Sequence, residues 1–115
     1  MKNLTITIIA MLISFAAISN NEIRNKIIER TNGTFIETRE QDNMFEHEIK
    51  VSEHTDAYIM NLNIRFLMSQ NDCTIVDPWT LKRGAYSVMY RDPEGKLIAF
   101  LYFEKYQKLL YIEFN

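Results

Sequence analysis

With a single cysteine, the 115-residue chain cannot form an internal disulfide, so its fold must rest on a packed core. Three glycines and two prolines leave no room for a flexible linker, a low-complexity tract or a glycine-rich phosphate loop. No internal repeat and no serine-nucleophile elbow is present. Adjacent basic residues occur only at Lys82–Arg83. A nucleic-acid partner needs a basic stripe to displace phosphate counterions, and the chain lacks one. The formal net charge is −2, and because Lys2 is the only charge in residues 1–19, the rest carries −3.

Hydrophobic residues make up 47% and charged residues 24%, an ordinary globular balance. The length fits one domain, and a domain of about 100 residues buries somewhat over 60% of the surface its unfolded chain exposes.

The start has the signature of export. Met1-Lys2-Asn3 is short and basic, and the 15 residues from Leu4 to Ile18 carry no charge. That run falls short of the roughly 20 residues needed to cross a bilayer core and fits the central region of a signal peptide. Ala17-Ile18-Ser19 places small residues for a cut before Asn20, and Ser14-Phe15-Ala16 offers a second site. A signal peptide over residues 1–19 is therefore expected, with one domain over 20–115 and a periplasmic or secreted address. The alternatives are an uncleaved anchor, the one case in which a membrane is a partner, and a buried soluble element.

In the remainder, Asn20 or Asn21 can cap a short helix with Glu22 in its first turn, ended by Asn32-Gly33. The same Asn-Gly pair also suits a hairpin turn, but that register sets apolar residues against acids. Residues 34–40 and 44–52 read as two strands, with Phe45, His47, Ile49 and Val51 on a half-buried face. Residues 57–71 alternate like a strand yet also form two helical stripes. One contains Ala57, Met60, Ile64, Leu67 and Met68, and the other Ile59, Leu62 and Phe66. A cap at His54-Thr55-Asp56 and the length favour a helix, expected to be buried on two sides.

Cys73 to Val76 reads as a short buried strand ended by Asp77-Pro78. Three strands follow over 85–91, 97–104 and 108–114. Asp92-Pro93-Glu94-Gly95 is a strong turn signal, and pairing Asp92 with Lys96 sets Tyr90 opposite Ile98, Val88 opposite Phe100 and Tyr86 opposite Tyr102. A turn at 105–107 sets Glu104 against Lys108, Tyr102 beside Leu110, Phe100 beside Ile112 and Ile98 beside Phe114. One face of this meander is then wholly apolar or aromatic, a separation that a one-residue slip would destroy. The expected fold is α+β: an antiparallel C-terminal β-meander packed on a helix, with an N-terminal short helix and β-hairpin.

The other face is mixed. Leu97, Leu101, Phe103, Leu109 and Tyr111 form a contiguous patch with Arg91 and Glu113 toward one end. Cover by the N-terminal helix or the 34–52 hairpin is the plain account; an exposed binding surface is the functional one. Trp79, read as a loop residue before Lys82-Arg83, either folds over the end of the sheet or serves as a binding anchor on which Arg83 stacks.

Chemistry is sparse. The two histidines, His47 and His54, stand among acids, but their spacing matches no zinc signature, so a structural or solvated role is expected. Cys73 is most simply a small buried hydrophobe; as a nucleophile it would need His47 or His54 beside it, and in an oxidising compartment it could join two chains. Asn32-Gly33-Thr34 is formally a glycosylation acceptor. The carboxylates between Glu37 and Asp56 have a solvated strand face as their simplest explanation. No cofactor or metal is expected. The chain reads as an exported, non-enzymatic binding module with a protein partner or a second copy, using Trp79 or the patch of Leu101, Phe103, Leu109 and Tyr111. The alternatives are a carrier or sensor for a small apolar ligand held between the sheet and the 57–71 helix, and a thiol enzyme.

Overall fold

The structure, a computed structural model, describes residues 19–105 and 107–115. The expected leader lies outside these residues except for Ser19. Two helices and six strands follow in the order α1 (Asn20–Thr31), β1 (Thr34–Gln41), β2 (Met44–Lys50), α2 (Ala57–Gln70), β3 (Thr74–Lys82), β4 (Ala85–Arg91), β5 (Leu97–Phe103) and β6 (Leu109–Phe114). The strands form one antiparallel sheet ordered β1-β2-β6-β5-β4-β3. The α+β class, the N-terminal helix and hairpin, and the C-terminal meander are as the sequence implied.

Local chemistry explains the boundaries. The Ser19 hydroxyl, one residue earlier than expected, caps α1 by accepting from the Glu22 N–H at 3.1 Å. Asn32 ends the helix in the left-handed region at φ 49°, and the Gly33 N–H then returns to the Ile28 carbonyl. Asp42 and Asn43 both take positive φ, giving the tight β1–β2 turn whose twist suits a hairpin. Asp56 caps α2 through the Ile59 N–H at 2.7 Å. In the β4–β5 turn, one Asp92 carboxylate oxygen accepts from the N–H groups of Glu94 and Lys96, with Gly95 at φ 89°.

The meander register is the one the alternation demanded. Tyr86, Val88 and Tyr90 face Tyr102, Phe100 and Ile98, while Tyr102, Phe100 and Ile98 face Leu110, Ile112 and Phe114. Of these residues only Tyr86 is more than marginally exposed. Ile23 and Ile27 of α1 and Met60, Ile64, Leu67 and Met68 of α2 complete the same core, so both helices share one face of the sheet. The β5–β6 ladder ends at Phe103 and Leu109, and Lys108 directs its ammonium to the Thr55 carbonyl at 3.1 Å rather than to Glu104.

Three expectations need correction. The second stripe of α2 is not buried: Ile59, Leu62 and Phe66 are 41%, 45% and 51% exposed, because among the described residues no third layer lies outside the helices to cover them. Residues 73–76 are not a short buried strand. Cys73 precedes the nine-residue edge strand β3, which opens at Thr74; there Ile75 and Val76 are exposed and the pairing runs past Asp77-Pro78 through two register shifts. An edge strand tolerates proline because its outer N–H groups have no ladder partner to lose. Trp79 accordingly lies in a strand, not a loop.

Candidate functional site

Two surfaces collect the residues singled out above. The first is the sheet face opposite the helices. The sequence favoured a cover for it, but α1 lies on the other side and β1–β2 extend the sheet edgewise, so neither covers it. Leu97, Phe103, Leu109 and Tyr111 are half-buried and Leu101 is 38% exposed. The cross-strand pairs Leu101–Tyr111 and Phe103–Leu109 make the patch continuous, and the Phe103 and Tyr111 rings meet edge to face at 5.9 Å. A shallow pocket of about 190 Å³ touches Met89, Ala99, Leu101, Tyr111 and Glu113.

Acids border the patch on the β1–β2 side. Arg39 binds Glu37, Glu46 and Glu48 at 2.7, 3.1 and 3.0 Å. Glu46 stands directly across the ladder from Glu113. Desolvation first, and then the hydrogen bond and charge of Glu113, push the Glu46 carboxyl above its usual value against the pull of Arg39.

The second surface lies on the helix side, where α2 meets β3 and β4. An open cleft of about 700 Å³ is lined by Asn61, Arg65 and Ser69 of the helix and by Cys73, Trp79 and Tyr90 among others. The Trp79 ring stacks on Tyr86 with centroids 5.3 Å apart and planes 12° from parallel. Arg83 has no part in this stack; the tryptophan is held by the sheet itself. Sequence reasoning found Trp79 but missed Asn61, Arg65 and Tyr90. The available signal was the spacing of Asn61, Arg65 and Ser69, which puts three polar residues along one side of a largely apolar helix.

The thiol and imidazole groups are not brought together. His47 sits in β2, whereas Cys73 precedes β3 at the far edge; four inter-strand steps separate them, roughly 19 Å. The Cys73 thiol instead donates to the Asn71 carbonyl at 3.6 Å. Burial, aided by the charges of Asp92 and Asp72, pushes its pKa up, the wrong direction for a nucleophile. His47 is buried between Phe35 and Phe114 and hydrogen-bonds Thr38 Oγ1 through Nδ1 at 2.7 Å. His54 lies exposed in the turn before α2. Among the described residues no three of His, Cys, Asp and Glu converge as a metal site, and no helix is long and apolar enough to cross a membrane.

Comparison of the chain with protein-family models, curated proteins and solved structures finds no match.

Proposed function

We propose that the chain is an exported, non-enzymatic interaction module that pairs with a second copy of itself through the open face of its sheet. The observation that carries this reading is the continuous Leu101–Phe103–Leu109–Tyr111 patch, left uncovered by either helix. An apolar area of this kind on a small domain is commonly an interface.

A second copy suits the face because the face is self-complementary. Consider a two-fold axis parallel to the strands and lying over the β5–β6 boundary, with the sheets packed in the aligned manner. The ladder then sets Tyr111 over Leu101 of the second copy, Leu109 over Phe103, and Glu46 over Met89. Arg39 falls opposite Asp77, and no acid meets an acid. Six strands at about 4.8 Å spacing and strands of about 20 Å give a face on the order of 500 Å² in projection, enough for a modest interface.

Sedimentation velocity tests the assembly. A concentration-dependent dimer is expected, and Leu101→Glu should be monomeric with an unchanged circular dichroism spectrum. A wild type that stays monomeric at high concentration, or a Leu101→Glu variant that dimerises equally well, overturns the reading.

The export half rests on the charge-free leader, and Ser19 bears on where it is cut. Cleavage before Asn20 would remove the α1 cap, a loss of about 1 kcal/mol, whereas cleavage after Ala16 would keep it. The mass of the mature product, expressed with its own leader, is expected to begin at Asn20, with Ala17 as the alternative start that would retain the cap. Full-length protein in the cytosol overturns export.

A further inference from the structure

The cleft on the helix side is an independent site, on the face of the sheet that the dimer does not use. Tyr90 is only 4% exposed, and its hydroxyl has no hydrogen-bond partner among the described residues. Asn61 Oδ1 is likewise buried and unpartnered, and both residues line the same cleft. Buried polar groups are nearly always paired, so two unpaired ones on one cleft call for a shared reason. Removing such groups would stabilise an empty fold; a polar ligand that meets them accounts for their place here.

The charges narrow the ligand. Arg65, on the helix wall between Asn61 and Ser69, forms no salt bridge among the described residues. It lies near enough to Tyr90 for its charge to act on the phenol. A guanidinium and a hydroxyl donor lining one cleft match a carboxylate, which can accept from both. Asp72 also lines the cleft and disfavours a second negative charge. Opposite the helix, the stacked Trp79–Tyr86 pair gives a flat and immobilised aromatic wall. A purely apolar guest would strip water from Arg65 and Tyr90 without replacing its hydrogen bonds, so it fits less well.

We propose that this cleft binds a small organic monocarboxylate with a flat apolar ring, its carboxylate held by Arg65 and the Tyr90 hydroxyl and its ring against Trp79. Asn61 Oδ1 would accept from a hydroxyl or amino substituent of such a ligand. This replaces the wholly apolar ligand of the sequence reading with an anionic amphiphile, and it stands whether or not the chain dimerises.

Trp79 is the only tryptophan in the chain, so fluorescence excited selectively at tryptophan, clear of the six tyrosines, reports on this cleft. The full chain is titrated with 3-phenylpropionate and with its uncharged analogue 3-phenylpropanamide, and calorimetry is run in parallel. A saturable response to the acid is expected, with the amide about tenfold weaker or worse. Arg65→Gln should lose roughly tenfold or more in affinity for the acid and little for the amide. Tyr90→Phe should weaken the acid several-fold while its melting temperature stays level or rises, which a merely structural tyrosine would not do. The proposal is overturned if neither signal saturates by roughly 10 mM acid. It is equally overturned if acid and amide bind alike, or if Arg65→Gln binds the acid as the wild type does.

Discussion

The buried hydroxyl of Tyr102 in β5 donates a hydrogen bond to the Thr55 carbonyl, in the turn that leads into α2. Lys108 reaches the same oxygen from the turn just before β6, so one carbonyl fastens the helix entry to β5 and to the β5–β6 turn. Tyr102→Phe keeps the ring and removes the bond, and it is expected to cost about 1–2 kcal/mol in urea denaturation. Burial above all, then the charges of Glu104 and Asp56, push the phenol pKa up to about 12. The fold therefore favours the protonated hydroxyl. That stability is complete below the unfolded value of about 10 and is lost as pH climbs from there toward 12. Wild-type stability should fall across that window, and Tyr102→Phe should lack this part of the decline.

His47 titrates with the opposite consequence. Burial, with Arg24 adding to it, holds the imidazole below its ordinary value, and Nε2 has no partner among the described residues. The folded state favours neutral histidine. Its contribution is complete above about pH 6.5 and lost as pH falls through the lower folded value. Urea midpoints measured between pH 7 and pH 5 should drop in the wild type. They should stay flatter in His47→Phe, whose ring fits between Phe35 and Phe114.

The C-terminal meander was legible because its information is local. Alternation fixed the faces of residues 86–114, Asp92 and Gly95 fixed the first turn, and only one register satisfied both. The edge position of β3 was not legible: apolar Ile75 and Val76 suggested burial, and only the strand order exposes them. The open patch was read at residue level, but its lack of cover depends on which side α1 takes, a tertiary choice. The cleft was hidden for the same reason. Tyr90 belongs to the apolar face by alternation, and nothing local marks its hydroxyl as unpaired.

Glu46 and Glu113 offer a test at the rim of the open face. Because the folded state raises the Glu46 carboxyl, its protonated form is favoured. That stability is complete below about pH 4.5 and lost as pH rises through the raised value. Glu113→Gln removes the like charge while leaving the Arg39–Glu46 bond intact. A gain of about 0.5 kcal/mol is expected at pH 7, fading below pH 4.5. Dimerisation would bury the same pair, so sedimentation should show tighter association at pH 5 than at pH 8, and Glu113→Gln should flatten that difference.

The two stripes of α2 make the sharpest stability contrast. Ile64 is fully buried against the sheet, whereas Leu62, two residues earlier, is 45% exposed. Ile64→Ala removes core volume that close-packed neighbours cannot refill, and a loss of about 2–5 kcal/mol is expected. Leu62→Ala removes surface contacts from a residue on the uncovered side and should change stability by about 0.5 kcal/mol or less. Both variants keep a good helix former in place, so propensity cannot explain a difference between them. Urea denaturation of the pair reads the result directly. Equal and large losses would mean that the outer stripe is covered after all, by chain or by partner, and that α2 is buried on both sides as its composition first suggested.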